Sequence, residues 1–279
     1  MTKYCDLHTH TYYSDGAHSP EYLIKECAKQ NISYLSITDH DCVSAYSEKE
    51  IYKVAQKNKV TLIPGVEINC IGSEILGYFI DLKYEPLKKI IEENSAGSTD
   101  VNIQKVYWLI DNGYNITLED VYKHTGPDKK VMGLHIALEL VRKGYCFSLQ
   151  DAFVNIIKKI KVKYHPKRLK TKKAISEIIN SGGVAILPHP WYLPTNIKED
   201  IESYFYKLKE QGLVGFESTG PFLDSEKKYV NEIKEIGKKL DLIETGGSDF
   251  HGLSLFPENR IGDFKIDYKV LKKLEFRKN

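Results

Sequence analysis

This chain of 279 residues has little of what marks an exported, membrane-bound or nucleic-acid-coating protein. Its cysteines number five (Cys5, Cys27, Cys42, Cys70, Cys146), an odd count with no Cys-x-x-Cys pair, which excludes a disulfide framework and a thiolate metal knot. Cys42 stands beside a candidate ligand but reads as a small buried hydrophobe. No apolar run approaches the roughly 18 residues that span a bilayer. Met1 is followed at once by Thr2-Lys3-Tyr4 rather than by an apolar leader, so the expected setting is reduced and cytoplasmic, with no membrane partner. Formal net charge is only +2, so the whole-chain balance offers no field for nucleic acid, and nothing calls for an obligate protein partner. What is present suffices for a core: 42% hydrophobic residues, in a length that suits one large domain or one domain with an insert.

The densest chemistry lies at the start, in Asp6-Leu7-His8-Thr9-His10-Thr11-Tyr12-Tyr13-Ser14-Asp15. Residues two apart on a strand point to one face, so His8 and His10 can converge on one point, and two imidazoles from one rigid strand begin a transition-metal site. A lone His-x-His near a terminus reads equally as two surface histidines; repetition changes that. Thr38-Asp39-His40-Asp41, Pro64-Gly65-Val66-Glu67, Leu187-Pro188-His189-Pro190 and Gly247-Ser248-Asp249-Phe250-His251 each follow a short apolar run with the look of a buried strand.

Strand and helix alternate along the chain. Ser19-Pro20-Glu21 is a helix start, with Ser at the N-cap and Pro at the first helical position. Tyr34 to Thr38, Val60 to Pro64, Glu74 to Ile80, Val184 to Leu187, Leu213 to Glu217 and Leu242 to Gly246 read as strands; Ala45 to Asn58, Ile197 to Gln211 and Ser225 to Leu240 read as helices. Repeated strand–helix units with apolar strands predict an α/β fold, a parallel sheet covered by helices on its outer face. In a closed barrel the strand ends share one rim, where active sites collect. From about Ser95 to Lys170 the alternation breaks into four helical stretches, an expected insert. Between Asn155 and Lys173 stand eight lysines and one arginine with no acid. This is either a solvated basic face or a wall that draws an anionic substrate into the cleft.

His8, His10, Asp15, His40, Glu67, His189, Asp249 and His251 thus gather at strand ends, including five of the nine histidines. Imidazole and carboxylate without thiolate suit Zn, Mn or Fe, and a carboxylate such as Glu67 can bridge two ions. Eight ligands exceed the needs of one ion, so the count predicts two or three divalent metals; without cations between them the carboxylates would repel.

At this point the chain resembles the PHP (polymerase and histidinol phosphatase) superfamily. The resemblance rests on Asp6-Leu7-His8-Thr9-His10 with Ser14-Asp15-Gly16, Thr38-Asp39-His40-Asp41, Gly65-Val66-Glu67, His189-Pro190 and Ser248-Asp249-Phe250-His251-Gly252, in the family's order from residue 6 to 252. Gly133-Leu134-His135-Ile136-Ala137, Lys143-Gly144-Tyr145 and Gly182-Gly183-Val184-Ala185 are similar to the helical insert of the stand-alone phosphoesterases, those related to nucleotide 3′,5′-bisphosphate phosphatases and the RNA 5′-end exonuclease. The resemblance implies a distorted (β/α)7 TIM-like barrel, residues 1–95 and 171–279, with a helical insert at 96–170. It implies a trinuclear site: His8, His10, Glu67 and Asp249 on one ion; Asp15, His40 and His251, also assigned to catalysis, on another; Glu67 and His189 on the third. The group's usual histidine for that third ion is here Glu74, which either completes the site, with a leaning to Mn or Fe over Zn, or is a solvated strand residue beside two ions. The insert's usual arginine stretch reads Met132-Gly133-Leu134, so Lys129, Lys130, Lys163 or Arg168, with His135, are expected to meet the substrate phosphate. His124 and His165 read as surface residues.

The activity so implied is metal-dependent phosphomonoester hydrolysis by a metal-activated hydroxide. The substrate would be a nucleotide, a nucleoside 3′,5′-bisphosphate or the 5′ end of a short RNA. Two alternatives stay open: a histidinol-phosphate phosphatase, and a catalytically silent metal-binding module.

Overall fold

The elements follow the alternation of the sequence. They run β1 (Tyr4–Asp6), α1 (Pro20–Lys29), β2 (Ile32–Ile37), α2 (Lys49–Lys57), β3 (Thr61–Asn69), β4 (Glu74–Tyr78), α3 (Glu85–Asp111), α4 (Leu118–Tyr122), α5 (Gly133–Arg142), α6 (Leu149–Asp151), α7 (Thr171–Asn180), β5 (Val184–Leu187), α8 (Thr195–Lys198), α9 (Ile201–Glu210), β6 (Gly215–Thr219), α10 (Lys227–Lys239), β7 (Ile243–Gly246), β8 (Ile266–Asp267) and α11 (Lys269–Phe276). The structure, a computed structural model, describes residues 3–163, 166–222, 224–252 and 254–278.

All eight strands join one sheet in the order β7-β6-β5-β4-β3-β2-β1-β8. Past the regular part of β1, Thr9 bridges Phe250 in parallel. The Asp249 amide donates to the His8 carbonyl and the His10 amide to the Phe250 carbonyl, both at 2.9 Å. These bonds draw the two flanks of the sheet together, so the chain forms the expected distorted α/β barrel, seven principal strands plus the two-residue β8. The expectation of a wholly parallel sheet needs correction. β4 runs antiparallel to both β3 and β5, and β8 antiparallel to β1. Only Cys70–Ser73 separate β3 from β4, too few for a crossover helix, so the pair closes as a hairpin.

Inside the barrel Leu7, Ile63, Leu76, Tyr78, Val184 and Ile186 pack together, with Leu271 and Leu274 of α11 closing the foot. Two larger clusters fill the space between the sheet and its covering helices. The helices between α3 and residue 160 carry a core of their own around Val106, Leu109, Ile136 and Leu140. The boundary drawn at 95/96 falls inside α3, which is one continuous helix of 27 residues.

Local signals act as physics dictates. Ser19 caps α1, its Oγ accepting from the Tyr22 amide at 3.2 Å. The single helix expected over Ala45 to Asn58 is instead a 3-10 turn, Ser44–Ser47, followed by α2. Glu48 between them leaves helical geometry, and its carboxylate accepts from the Tyr12 and Tyr13 hydroxyls at 3.1 and 2.8 Å. The helix expected over Ile197 to Gln211 is likewise broken, into α8 and α9, at Asp200 (φ −135°, ψ 54°). The insert is held against the rim by a close backbone approach: a Cβ on Gly126 would lie 1.7 Å from the Tyr12 carbonyl oxygen.

Candidate metal centre

The carboxyl ends of the strands deliver their polar residues to one buried spot. Glu67, near the end of β3, is its hub. Its Oε2 lies 3.2 Å from His8 Nε2, 3.3 Å from His10 Nε2 and 3.2 Å from His40 Nδ1, and its Oε1 lies 2.9 Å from His189 Nε2. Asp249 Oδ1 stands 3.4 Å from His8 Nε2 and 3.3 Å from His10 Nε2. Asp15 Oδ1 lies 3.3 Å from His251 Nε2 and 3.9 Å from His40 Nε2. Glu74, at the start of β4, reaches in from the antiparallel neighbour, 3.7 Å from His40 Nδ1 and 3.4 Å from His189 Nε2. All nine candidate ligands therefore meet, in four overlapping groups: His10, Asp15, His40 and His251; His8, Glu67 and His189; His8, His10 and Asp249; His40, Glu67 and Glu74.

Three atoms test whether metal ions fit. His10 Nε2, Asp15 Oδ1 and His40 Nδ1 are buried and have no hydrogen-bond partner, although imidazole nitrogens and carboxylate oxygens crowd within 4 Å of each. Buried polar atoms left so are rare and destabilising unless something absent from the polypeptide satisfies them. Lone pairs converging without hydrogen-bond geometry are the arrangement of ligands around shared cations. The donor set of five imidazoles and four carboxylates suits Mn, Fe or Zn.

Charge tells the same story. Burial pulls His10 down, but the Asp249 and Glu67 carboxylates outweigh it and raise it to about 10. His189 is raised to about 9 against burial, chiefly by Glu67. Burial pushes Glu67 up, yet His8 and His40 hold it well below the usual carboxylate range; His251 and His40 do the same for Asp15. Glu74 differs: burial and then the Glu67 charge raise it, because two carboxylates share one end of the cluster.

The backbone is bent to make this site. His189 (φ 26°) and Asp249 (φ 50°) occupy left-handed conformations that non-glycine residues disfavour. Gly247 lies so close to β1 that a Cβ would stand 2.5 Å from the His8 Cβ.

Sequence reasoning passed over the residues that aim the ligands. Glu217, midway along β6, is buried; its Oε1 lies 3.1 Å from His8 Nδ1 and its Oε2 accepts from the His189 amide at 2.8 Å. It thereby turns His8 Nε2 toward the cluster. The signal was available: Glu217 follows an apolar run just as Glu67 does. Asp39 accepts from the Thr11 amide, the Thr11 hydroxyl and the Ser14 hydroxyl at 2.6–2.7 Å, fixing the loop that carries Asp15. Asp6 ties β1 to the Ser248 amide at 2.9 Å. His251 Nδ1 bonds the Asp249 carbonyl at 2.8 Å, which leaves its Nε2 facing Asp15.

The expected phosphate contacts scatter. Lys130 lines a small cleft against His40. Arg168 lines a cavity of about 550 Å³ that opens on Glu74 and His189. Lys129 turns away, its Nζ 5.8 Å over the Tyr122 ring, and Lys163 is exposed. His135 is buried at the start of α5, its Nδ1 accepting from the Met132 amide at 3.1 Å; burial lowers its pKa while the Asp15 charge acts against that. His124, expected at the surface, is half-buried and pairs with the buried Glu139 at 3.0 Å. His165 lies outside the described residues.

An α/β barrel whose rim gathers nine candidate histidine and carboxylate ligands has the features of a class, the barrel metalloenzymes. Residues 6–175 match the PHP domain, and the chain belongs to that family. The match stops short of His189, Asp249 and His251, which the fold returns to the same cluster. The chain is 28% identical over 191 residues to the 5′-3′ exoribonuclease Rnm of Escherichia coli (strain K12), which covers 66% of the chain and 64% of that protein. It is 27% identical over 260 residues to a 5′-3′ exoribonuclease of Haemophilus influenzae, covering 90% of the chain and 91% of that protein. Among solved structures, one described as a metal-dependent phosphoesterase from Bifidobacterium adolescentis superposes with a TM-score of 0.83 at 23% identity, over 99% of this chain and 96% of that one, a likeness of fold. Membership places the chain among the hydrolases. Among the described residues no helix is long and apolar enough to cross a membrane.

Proposed function

We propose that this chain hydrolyses phosphate esters of nucleotides, acting on a nucleotide, a nucleoside 3′,5′-bisphosphate or the 5′ end of a short RNA, with two or three divalent ions among Mn, Zn and Fe. The observation that carries the reading is the set of partnerless buried atoms around Glu67. His8, His10, Glu67 and Asp249 would hold one ion, Asp15, His40 and His251 a second, and Glu67, Glu74 and His189 a third. Bound there, the ions supply Lewis acidity and activate water at neutral pH.

The chain's own residues do the rest. Glu217 and the Asp249 carbonyl fix which nitrogen of His8 and of His251 faces the cluster. Asp15 stays ionised beside His251 and His40, so it serves as an anionic ligand and not as a proton donor. Lys130 and Arg168, on the walls nearest His40 and His189, bring positive charge to an entering phosphate. The names of the exoribonuclease relatives support a nucleotide substrate.

The test is a turnover screen of the metal-reconstituted full chain against AMP, adenosine 3′,5′-bisphosphate, 5′-phosphorylated RNA and histidinol phosphate. Phosphate or nucleotide release from the first three is expected. Turnover of histidinol phosphate alone would move the assignment there. A metal-loaded chain inert toward every ester would leave a silent metal-binding module.

A further inference from the structure

We infer that Lys105, on α3, is a specificity-determining residue: with Arg168 it lines a second anion pocket beside the metal centre, which receives a further phosphate of the substrate and not the reacting one. The inference rests on the phosphate-ester reading above, and it narrows the substrates named there to those with at least two phosphate groups.

The pocket is a cavity of about 450 Å³ between α3 and the segment 166–168. Its position is built into the helix. Gly97 faces Pro166, and a Cβ there would come within 2.9 Å of the proline ring. The glycine lets that segment seat against α3 and brings Arg168 over the cavity. Arg168 is anchored through Nη2 to the Cys70 carbonyl at 3.1 Å. Lys105 is half-buried and donates to Asn102 Oδ1 at 3.0 Å. Among the described residues, the polar partners recorded for these two cations are thus neutral oxygens. The acid at the cavity, Glu93, is exposed and faces Lys89 at 4.0 Å.

Two cations sharing one cavity without a carboxylate between them destabilise each other until an anion arrives. The proton equilibrium of Lys105 reflects this: burial first, and then the Arg168 charge, lower its pKa. A visiting phosphate reverses both effects, since charge-assisted bonds to phosphate strengthen where water is scarce.

The location relative to the metals makes this a selector. Asn69, two residues beyond the hub Glu67, lines this pocket, the cleft against His40 and the cavity that opens on Glu74 and His189. Arg168 is shared with that last cavity as well. A phosphate at Lys105 is therefore one compartment away from the phosphate that would meet the ligands. The metal-side cavity also offers Tyr192, 56% exposed and with its ring centroid 5.4 Å from that of His189, as a face for a base or sugar. Either the second phosphate of a nucleoside bisphosphate or the next diester of an RNA supplies the same chemistry.

The experiment is calorimetric titration of the metal-loaded full chain with methylene-phosphonate analogues, which bind but do not turn over. The probes are the analogues of AMP, of adenosine 3′,5′-bisphosphate and of a 5′-phosphorylated dinucleotide. The wild-type chain is expected to bind at least one two-phosphate probe tenfold or more tighter than the AMP analogue, and which probe gains identifies the source of the second phosphate. Lys105→Met should erase that gap and leave AMP-analogue affinity and the melting temperature unchanged, and Lys105→Arg should keep it. Equal affinities for all three probes in wild type overturn the inference, as does a Met variant that weakens every probe alike. If Lys105→Met does not fold, Lys105→Gln carries the same comparison. If the gap and its loss appear while the chain hydrolyses no ester, the pocket stands and the hydrolase reading falls.

Discussion

The barrel rim was read from the sequence as functional and the basic wall above it as either a solvated face or an anion-drawing surface, and the two are built in opposite ways. On the rim each candidate ligand lies within 4 Å of at least one other, and Glu67 is within 3.3 Å of four imidazoles. On the wall, Lys163 is exposed, Lys129 rests on Tyr122, and Arg168 and Lys105 border cavities. On the rim Glu67 and Glu74 lie within strands and the other candidate ligands on the segments that follow them, while Glu217 and the Asp249 carbonyl fix the rings of His8 and His251. The wall is made of helices and loops, whose long side chains carry their charge into water. Chemistry that tolerates only fractions of an ångström sits on the rigid part, and recognition sits on the adaptable part.

The sharpest way to break this contrast is at the rim. His10→Ala and Asp249→Ala should each cut turnover by at least about 10³-fold, beyond the loss of a single electrostatic donor, with the melting curve of the folded chain retained. Substantial activity in either variant removes that residue from the mechanism.

Protons compete with metal for the same atoms, so pH gives the next effect. In the metal-free chain His10 and His189 are raised to about 10 and about 9, above the ordinary histidine value near 6.5. Their ion pairs with Glu67 and Asp249 therefore contribute stability that is fully present below about pH 6.5. That stability is lost as pH climbs through about 9 and 10. Metal must expel those protons, so affinity measured by chelator competition should rise by about tenfold per pH unit for each proton released between pH 6 and pH 8. A flat profile would mean that the rings are neutral before metal arrives.

Glu217→Gln keeps the shape and removes the charge that orients His8. Metal affinity or activity should drop about 10- to 100-fold, read by metal titration, and an unchanged value would make Glu217 a packing residue. Glu74→Gln should act more weakly, because Glu74 is part-exposed and lies at one end of the cluster. The expected result is a higher metal requirement at an unchanged maximal rate. If rate and metal requirement both match the parent, Glu74 is no ligand. The smallest change belongs to the wall. Neutralising Lys163 and Arg168 together should raise KM a few-fold for a phosphate substrate, leave kcat in place and flatten the salt dependence. An unchanged KM at low salt would return the basic stretch to a solvated face.

Much of the site could be read in advance because its motifs obey short-range rules. His8 and His10 share a face by strand periodicity, and Glu67, His189 and Asp249 each follow an apolar run that ends at the rim. Glu217 obeyed the same rule and was overlooked because the Ser218 and Thr219 that follow it carry neither an imidazole nor a carboxylate. Asp39 and Asp6 stood inside the quoted motifs, but their partners, Ser14 and Ser248, are 25 and 242 residues away. The antiparallel β4 was missed because an apolar strand reads the same in either direction; only the length of the loop before it carries the orientation.

Composition, periodicity and motif spacing were enough to specify an α/β fold with histidines and carboxylates at its strand ends, since burial pattern and strand-end position are local properties of the chain; the closed barrel came from the family resemblance. They could not specify which nitrogen of each imidazole faces the cluster, that Glu74 enters it from a reversed strand, or that Lys105 and Arg168 meet across one cavity. Those facts arise from contacts between residues far apart in the chain. Their distances are set when the sheet curls and the Thr9–Phe250 bridge draws its flanks together.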